Sequence, residues 1–346
     1  MNNRLIIRVD AGFEVGIGHL MRCLALAHDW RTKGGRVILV TATRSDLLQG
    51  RLRNEGFQVV CLEGSHPDPR DWEKTSKVLA ASPRAWVVVD GYNFDSTYQR
   101  MIKQLDHALL VIDDTAHLPQ YCADVILNQN IDSERLSYSC NHDTTLLRGV
   151  KYSLLQPRFL KWRNWKRKIP QVARRVLVTF GGSDRENATL KAIAALQQIR
   201  IRKIESRIVA GPMNRNLNAV REKLKSVGRQ FRLLTDVQDM PEWMAWADMA
   251  VCASGSTCWE MAFMGLPAAV LVLAQNQREI AAGLGTYGAV VNMGWHTSVT
   301  ESDIARTLSM LMHNAAKRKD MSEQGRRLVD GYGASRVTSV LLERKR

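Results

Sequence analysis

A histidine follows a glycine-rich turn near the start of the chain, in the run Arg8-Val9-Asp10-Ala11-Gly12-Phe13-Glu14-Val15-Gly16-Ile17-Gly18-His19-Leu20-Met21-Arg22. An imidazole moves a proton near neutral pH, and glycines let a backbone come close to a ligand. His19 is the first candidate for a general base. Further on stands Gly181-Gly182-Ser183-Asp184. Paired glycines between a strand and a helix free N–H groups to point at an anion, and a helix N-terminus adds a favourable dipole. The same residues also read as a tight turn with Ser183 or Asp184 as a helix N-cap. A third run, Ala253-Ser254-Gly255-Ser256-Thr257-Cys258-Trp259-Glu260, has the same logic. Thr257 and Glu260 have capping-box spacing. Glu260 one turn into a helix is also placed to accept from a ribose diol. Asn276 and Gln277, in the amide cluster Gln275-Asn276-Gln277, suit sugar hydroxyls and acetamido groups, or an ordinary polar loop.

Two more strand ends carry polar groups. Asp90 and Tyr92 follow Trp86–Val89, and Asp113-Asp114 follow Ala108–Ile112. Paired carboxylates there could hold a metal or act as a catalytic pair. With no histidine near them in sequence, capping or loop bracing is the expected role.

These groups need strands and helices to position them. Apolar runs at Leu5–Val9, Val37–Thr41, Val59–Leu62, Trp86–Asp90, Ala108–Asp113 and Val125–Leu127 read as strands, with helical patterns such as Leu20–Lys33 and Asp71–Ala81 between them. The alternation restarts at Val176–Phe180, with further strands at Ser206–Ala210, Phe231–Leu234, Met249–Cys252 and Ala268–Leu273. Such βα alternation predicts parallel sheets covered by helices on both faces. The expected organisation is an N-terminal Rossmann-like domain over 1–157 carrying the His19 loop. A basic linker over 158–175 joins it to a C-terminal Rossmann-like domain over 176–346, and a cleft lies between the two.

The chain has 346 residues, of which 45% are hydrophobic and 24% charged, a globular composition. No stretch approaches the roughly 20 apolar residues that span a bilayer, and the N-terminus lacks a signal peptide's apolar core. The six cysteines show no C-x-x-C pair and read as reduced thiols of a cytoplasmic protein. The histidines lack metal-ligand spacing, so no metal or other cofactor is expected. The net charge of +15 points to an acidic partner. Arg158 to Arg175 holds eight basic and no acidic residues, and the chain ends Glu343-Arg344-Lys345-Arg346. These read as a solvated linker and tail. The linker is where any peripheral membrane association is expected. Stable membrane insertion is not expected. No helix-turn-helix, zinc-finger or RNA-binding signature supports a nucleic-acid partner.

Taken in order, G-x-G-H-x-x-R-C-L, V-V-D-x-Y, I-D-D, L-N-Q-N (Leu127 to Asn130), F-G-G-S-D, A-x-G-S-T-x-x-E, G-x-P and N-Q resemble one family. The chain looks like the UDP-2,4-diacetamido-2,4,6-trideoxy-β-L-altropyranose hydrolases of pseudaminic acid biosynthesis, which serves flagellin glycosylation. It is also similar to the related spore-coat polysaccharide proteins. The resemblance runs from about Arg4 to past Asn292 and implies a glycosyltransferase-B architecture of two Rossmann-like domains. It implies His19 as catalytic base, with Gly16 and Gly18 shaping its loop. Arg22, Tyr92, Asn276 and Gln277 would serve the substrate. Gly181, Gly182, Ser183, Ser254, Gly255, Ser256, Thr257 and Glu260 would hold UDP. Gln156 departs from the family pattern, which carries an arginine there, and Arg158 could substitute for it. The activity implied is metal-independent release of UDP and free sugar by water attack at the anomeric carbon. The alternatives from the residues themselves are a UDP-sugar glycosyltransferase on the same scaffold and a basic nucleic-acid-binding protein.

Overall fold

A computed structural model describes residues 3–12, 16–43, 45–211, 214–235 and 237–344. The glycine-loop residues Phe13, Glu14 and Val15 and the terminal Lys345 and Arg346 therefore lie outside the described residues. The chain divides into two compact units. The first comprises 1–157 and 332–346, and the second 158–331.

The first unit is built on a seven-stranded sheet: β1 (Arg4–Val9), β2 (Arg36–Thr41), β3 (Gln58–Cys61), β4 (Trp86–Asp90), β5 (Ala108–Ile112), β6 (Val125–Asn128) and β7 (Thr145–Arg148). The order is β3-β2-β1-β4-β5-β6-β7, and every pair is parallel. Its strands are near-continuous apolar runs because helices cover both faces. Leu5, Ile6, Ile7, Val87, Val88, Leu109 and Leu110 are fully buried. The chain leaves β3 at one edge and returns as β4 beside β1. That reversal makes a topological switch point at the carboxyl ends of β1 and β4, where open α/β sheets bind ligands.

The second unit repeats the plan with six strands: β8 (Arg175–Thr179), β9 (Glu205–Ala210), β10 (Phe231–Thr235), β11 (Met249–Ala253), β12 (Ala268–Val272) and β13 (Val290–Trp295). The order is β10-β9-β8-β11-β12-β13, again all parallel. Its switch point lies between β8 and β11. Two strands go beyond the sequence expectation. β7 is a four-residue edge strand, and β13 carries Asn292 and Gly294, which break an apolar run.

Two expectations about the joining segments change. The final helix, Gly333–Glu343, belongs to the first unit and not to a domain over 176–346. It buries Val337 and Leu341 there, and Arg336 Nη1 donates to the Lys151 carbonyl at 2.8 Å. Lys33 Nζ also reaches Ser339 Oγ at 2.9 Å. The segment read as a solvated basic linker is part of the second unit. Arg167 is half-buried and donates to the carbonyls of Met244, Ala247 and Met264, at the ends of two helices. Burial pushes its guanidinium down to about 9. Arg318 likewise binds the carbonyls of Leu311, Met312 and Pro170. These cations are consumed by backbone carbonyls inside the unit.

The six cysteines are all unpaired, and Cys23, Cys252 and Cys258 are buried. No helix among the described residues is long and apolar enough to cross a membrane.

Candidate functional site

In the first unit two glycines after β1 pair with each other. Gly12 and Gly16 exchange N–H···O bonds of 3.1 and 2.7 Å. Gly16 sits at φ +79°, where a side chain would be strained. Gly18 then opens the helix Gly18–Thr32, which carries His19 and Arg22 on one face of its first turns. Asp90, the last residue of β4, lies opposite Val9 in the β1–β4 register. That register brings its carboxylate beneath the helix start.

His19 Nδ1 lies 2.6 Å from Asp90 Oδ1. Arg22 holds both oxygens of the same carboxylate, Nε to Oδ2 at 2.7 Å and Nη2 to Oδ1 at 2.6 Å. Arg22 Nη1 also donates to Asp114 Oδ1 at 2.8 Å. Asp90 is completely buried and His19 nearly so. Burial by itself would raise the Asp90 carboxyl, but Arg22 and His19 outweigh it and hold it well below the ordinary carboxylate range. Asp114 is lowered in the same way, against burial, mainly by Arg22. Burial opposes the charge on Arg22 too, yet the two carboxylates raise it well above its usual value. Both aspartates are thus anions and Arg22 a cation at neutral pH.

A carboxylate can only accept, so His19 Nδ1 donates to Asp90 and the Nε2 lone pair is left as the proton acceptor. Arg22 Nη2, 3.0 Å from His19 Nδ1, converges with it on Asp90 Oδ1; two donors do not bond each other. Tyr92 packs edge-on to His19 with ring centroids 5.3 Å apart, and its hydroxyl donates to Asp114 Oδ2 at 2.9 Å. Asn130 Nδ2 supports Asp114 Oδ1 at 2.9 Å. Gln156 is buried, and its amide donates to the Met21 carbonyl, bracing the helix beside His19.

The expectation that Asp90 and Asp114 only cap or brace therefore fails. Each is a partner of His19, Arg22 or Tyr92. Asp113 does brace its loop, accepting from Thr115 N, Ala116 N, Tyr121 OH and Tyr138 OH. Asn130 was also missed as a site residue. One signal was available: Asp90, Asp114 and Asn130 each follow an apolar run that ends at the same edge of a parallel sheet.

In the second unit, Asp184 settles one open choice. Its carboxylate accepts from Ala188 N at 2.9 Å and Thr189 N at 3.0 Å. The helix Ala188–Gln198 is thus capped from within, and those amides are not open to an anion. Gly181, Gly182 and Ser183 remain as the turn before it. Gly211, after β9, is pressed on that turn: a Cβ added there would lie 2.4 Å from Gly182 Cα.

The helix Thr257–Met264 is different. Its N-cap Ser256 is already helical at φ −56°, ψ −26°, and no side chain caps it. The Thr257–Glu260 capping box does not form. Glu260 makes no side-chain hydrogen bond within the described residues, and its surroundings push its carboxyl up to about 7, by burial against the pull of Arg158. Ser254 points elsewhere than expected: it is buried, with Oγ on the Leu271 carbonyl at 3.2 Å. Gln277 Oε1 accepts from Leu273 N at 2.9 Å and closes its own loop. Its Nε2 lies against Gly255, 3.9 Å from the place of a Cβ there. Asn276 is exposed. Because the sheet is parallel, the loops with Gly181, Gly211, Ser256 and Asn276 all share its carboxyl edge.

Residues 175–331 match the model of the glycosyltransferase family 28 C-terminal domain. Over 338 residues the chain is 25% identical to the spore coat polysaccharide biosynthesis protein SpsG of Bacillus subtilis (strain 168), covering 97% of this chain and 96% of the relative. Among solved structures it resembles MurG of Acinetobacter baumannii, with a TM-score of 0.66 at 14% identity, over 99% of this chain and 100% of the other. It also resembles a putative UDP-N-acetylglucosamine 2-epimerase of Listeria monocytogenes, with a TM-score of 0.66 at 16% identity, over 100% and 98%. At these identities the structural likeness shows the fold of two parallel-sheet Rossmann-like domains, and the fold hosts more than one chemistry.

Proposed function

We propose that this chain is a UDP-sugar enzyme of polysaccharide biosynthesis that breaks the sugar's anomeric C–O bond and passes the sugar to a hydroxyl acceptor. The observation that carries the reading is the His19–Asp90 pair, which leaves an imidazole nitrogen free to take a proton. The family 28 domain and the near-full-length likeness to a spore-coat polysaccharide protein support the UDP-sugar class.

His19 Nε2 takes the acceptor's O–H proton as that oxygen bonds to the anomeric carbon. The bond from that carbon to the β-phosphate oxygen breaks, its electron pair leaves with UDP, and the configuration inverts. Asp90 keeps the imidazole in the required tautomer and stabilises the imidazolium that forms. Tyr92 and Asn276 contact the sugar. Amides of Gly181, Gly182, Ser183, Gly255, Ser256 and Thr257 hold the diphosphate, where they stabilise charge that grows as UDP departs. Glu260 accepts from the ribose diol.

A second reading replaces the acceptor with water and the product with free 2,4-diacetamido-2,4,6-trideoxy sugar. The ordered motifs around the His19 loop favour it. The deciding experiment incubates the chain with a panel of UDP-sugars, including the diacetamido type, with and without hydroxyl acceptors in ¹⁸O-water. UDP formed only with an acceptor supports transfer. Free sugar carrying ¹⁸O supports hydrolysis. No UDP from any of them, or ¹⁸O on phosphate, removes both readings.

A further inference from the structure

The first unit holds a second histidine–aspartate pair, and the same tyrosine touches both. β4 and β5 are neighbours, with Asp90 opposite Ile112, so the segments that follow them share one edge of the sheet. There His117 Nδ1 lies 3.0 Å from Asp113 Oδ2. The His117 ring packs edge-on to Tyr92 with centroids 5.8 Å apart, and the His19 ring packs edge-on to Tyr92 at 5.3 Å. Asp113 is buried and also accepts from Thr115 N, Ala116 N, Tyr121 OH and Tyr138 OH. Burial first, and then the Asp113 charge, push both tyrosines above their usual range, so they stay phenols that donate. Those four donors brace the loop without His117. The fifth fixes the imidazole: Nδ1 carries the proton, and the Nε2 lone pair is left over. That nitrogen has no partner within the described residues. The residue before it, Ala116, sits at φ +53°, a left-handed conformation that a Cβ disfavours. Such strain persists only where the surroundings over-determine it, and it gathers at ligand sites. The His117 side chain is 33% exposed and Tyr92 41%, so both are open to a ligand.

We propose that His117 is a second contact for the transferred sugar, its Nε2 accepting from a sugar hydroxyl or an acetamido N–H while the sugar lies against Tyr92. This rests on the UDP-sugar reading and on the sugar contact that reading gives to Tyr92. The lone pair selects by chemistry. It takes an O–H or N–H donor and gives nothing to a deoxy position or an ether oxygen, so His117 is a specificity residue. The reacting proton goes to His19, and His117 takes no part in that transfer. Its contact is made equally before and during bond breaking, and it therefore acts on binding more than on turnover.

The test is histidine side-chain NMR on the full chain labelled with ¹⁵N-histidine, with His117→Ala assigning the signals. The chain is titrated with UDP, with UDP-N-acetylglucosamine and with a UDP-2,4-diacetamido-2,4,6-trideoxy sugar, all without acceptor. His117 is expected to be protonated on Nδ1 in the free chain, and its Nε2 signal should move with a UDP-sugar and stay put with UDP. In calorimetry His117→Ala should weaken that UDP-sugar by roughly 5–10-fold, the loss of one hydrogen bond, with UDP affinity unchanged. Where turnover is measured, KM should rise by a similar factor with kcat nearly constant. A UDP-sugar that binds and moves the His19 signal but not that of His117 overturns the inference and leaves the UDP-sugar reading standing. So does a His117→Ala variant that binds the UDP-sugar as tightly as the parent. Equal loss of UDP and UDP-sugar affinity, with a lower melting temperature, would make His117 a loop brace only. A chain that binds none of the three ligands overturns the reading and the inference together.

Discussion

His19 and Asp90 stand 71 positions apart in the chain, yet Nδ1 and Oδ1 meet at 2.6 Å. The parallel pairing of β1 with β4 brings them together, and Arg22 locks the carboxylate from its other side. The pair gives His19 a defined tautomer, with Nδ1 donating and the Nε2 lone pair left to accept.

His19→Asn should lower kcat by about 10²–10⁴ with little change in UDP affinity. Asp90→Asn should lower kcat by a comparable factor, because an amide can donate to Nδ1 and stabilise the wrong tautomer. It should also lower the melting temperature, since Arg22 loses one of its two buried anions. Steady-state kinetics and thermal melts on both variants check this. Normal turnover in folded Asp90→Asn would remove the dyad from the mechanism.

Glu260 carries a pH signature. Its folded-state value of about 7 lies above the ordinary 4.5. Below 4.5 both folded and unfolded states are protonated and nothing is gained or lost. Between 4.5 and 7 the unfolded chain releases the proton first, so stability falls as pH rises and levels off above 7. Glu260→Gln should therefore stabilise the chain at pH 8 by about 1–2 kcal/mol after solvent screening, and by nothing near pH 4. It should also weaken UDP binding in calorimetry. A variant less stable at pH 8 would instead indicate a capping role.

Gly211 tests the glycine turn without touching a proposed ligand contact. Gly211→Ala sets a methyl group 2.4 Å from Gly182 Cα, so one backbone must move. UDP affinity should drop by about tenfold, as geometry errors near 1 Å cost that much or more. Unchanged UDP affinity in calorimetry would show that the Gly181–Ser183 turn does not hold the nucleotide.

Arg167 separates a built-in cation from a solvated one. Arg167→Ala strands the carbonyls at the ends of two helices and should cost about 3 kcal/mol or more. A linker residue in solvent would cost less than about 0.5 kcal/mol. Urea unfolding followed by circular dichroism distinguishes the two outcomes.

Much of the molecule was legible in the sequence, because apolar periodicity reports which face of an element is buried. The strands at Leu5–Val9, Trp86–Asp90 and Val176–Phe180, the turn ahead of His19 and the two glycine loops all follow from local pattern. So does the two-sheet architecture, since βα alternation leaves few topologies. What local pattern does not carry is which strand lies beside which. The β1–β4 adjacency gave His19 its carboxylate, and the loop after β5 placed Asp114, 92 positions on, against Arg22. Tertiary packing also drew the last helix into the first unit and turned Arg167 from a solvent group into a donor to helix-end carbonyls. It chose Asp184 as the cap of the helix Ala188–Gln198 and left the helix Thr257–Met264 without a side-chain cap. Each of these is a contact between segments distant in sequence or a competition for a backbone N–H. Residue type and spacing name the candidates, but only the folded neighbourhood decides which partner is near enough to win.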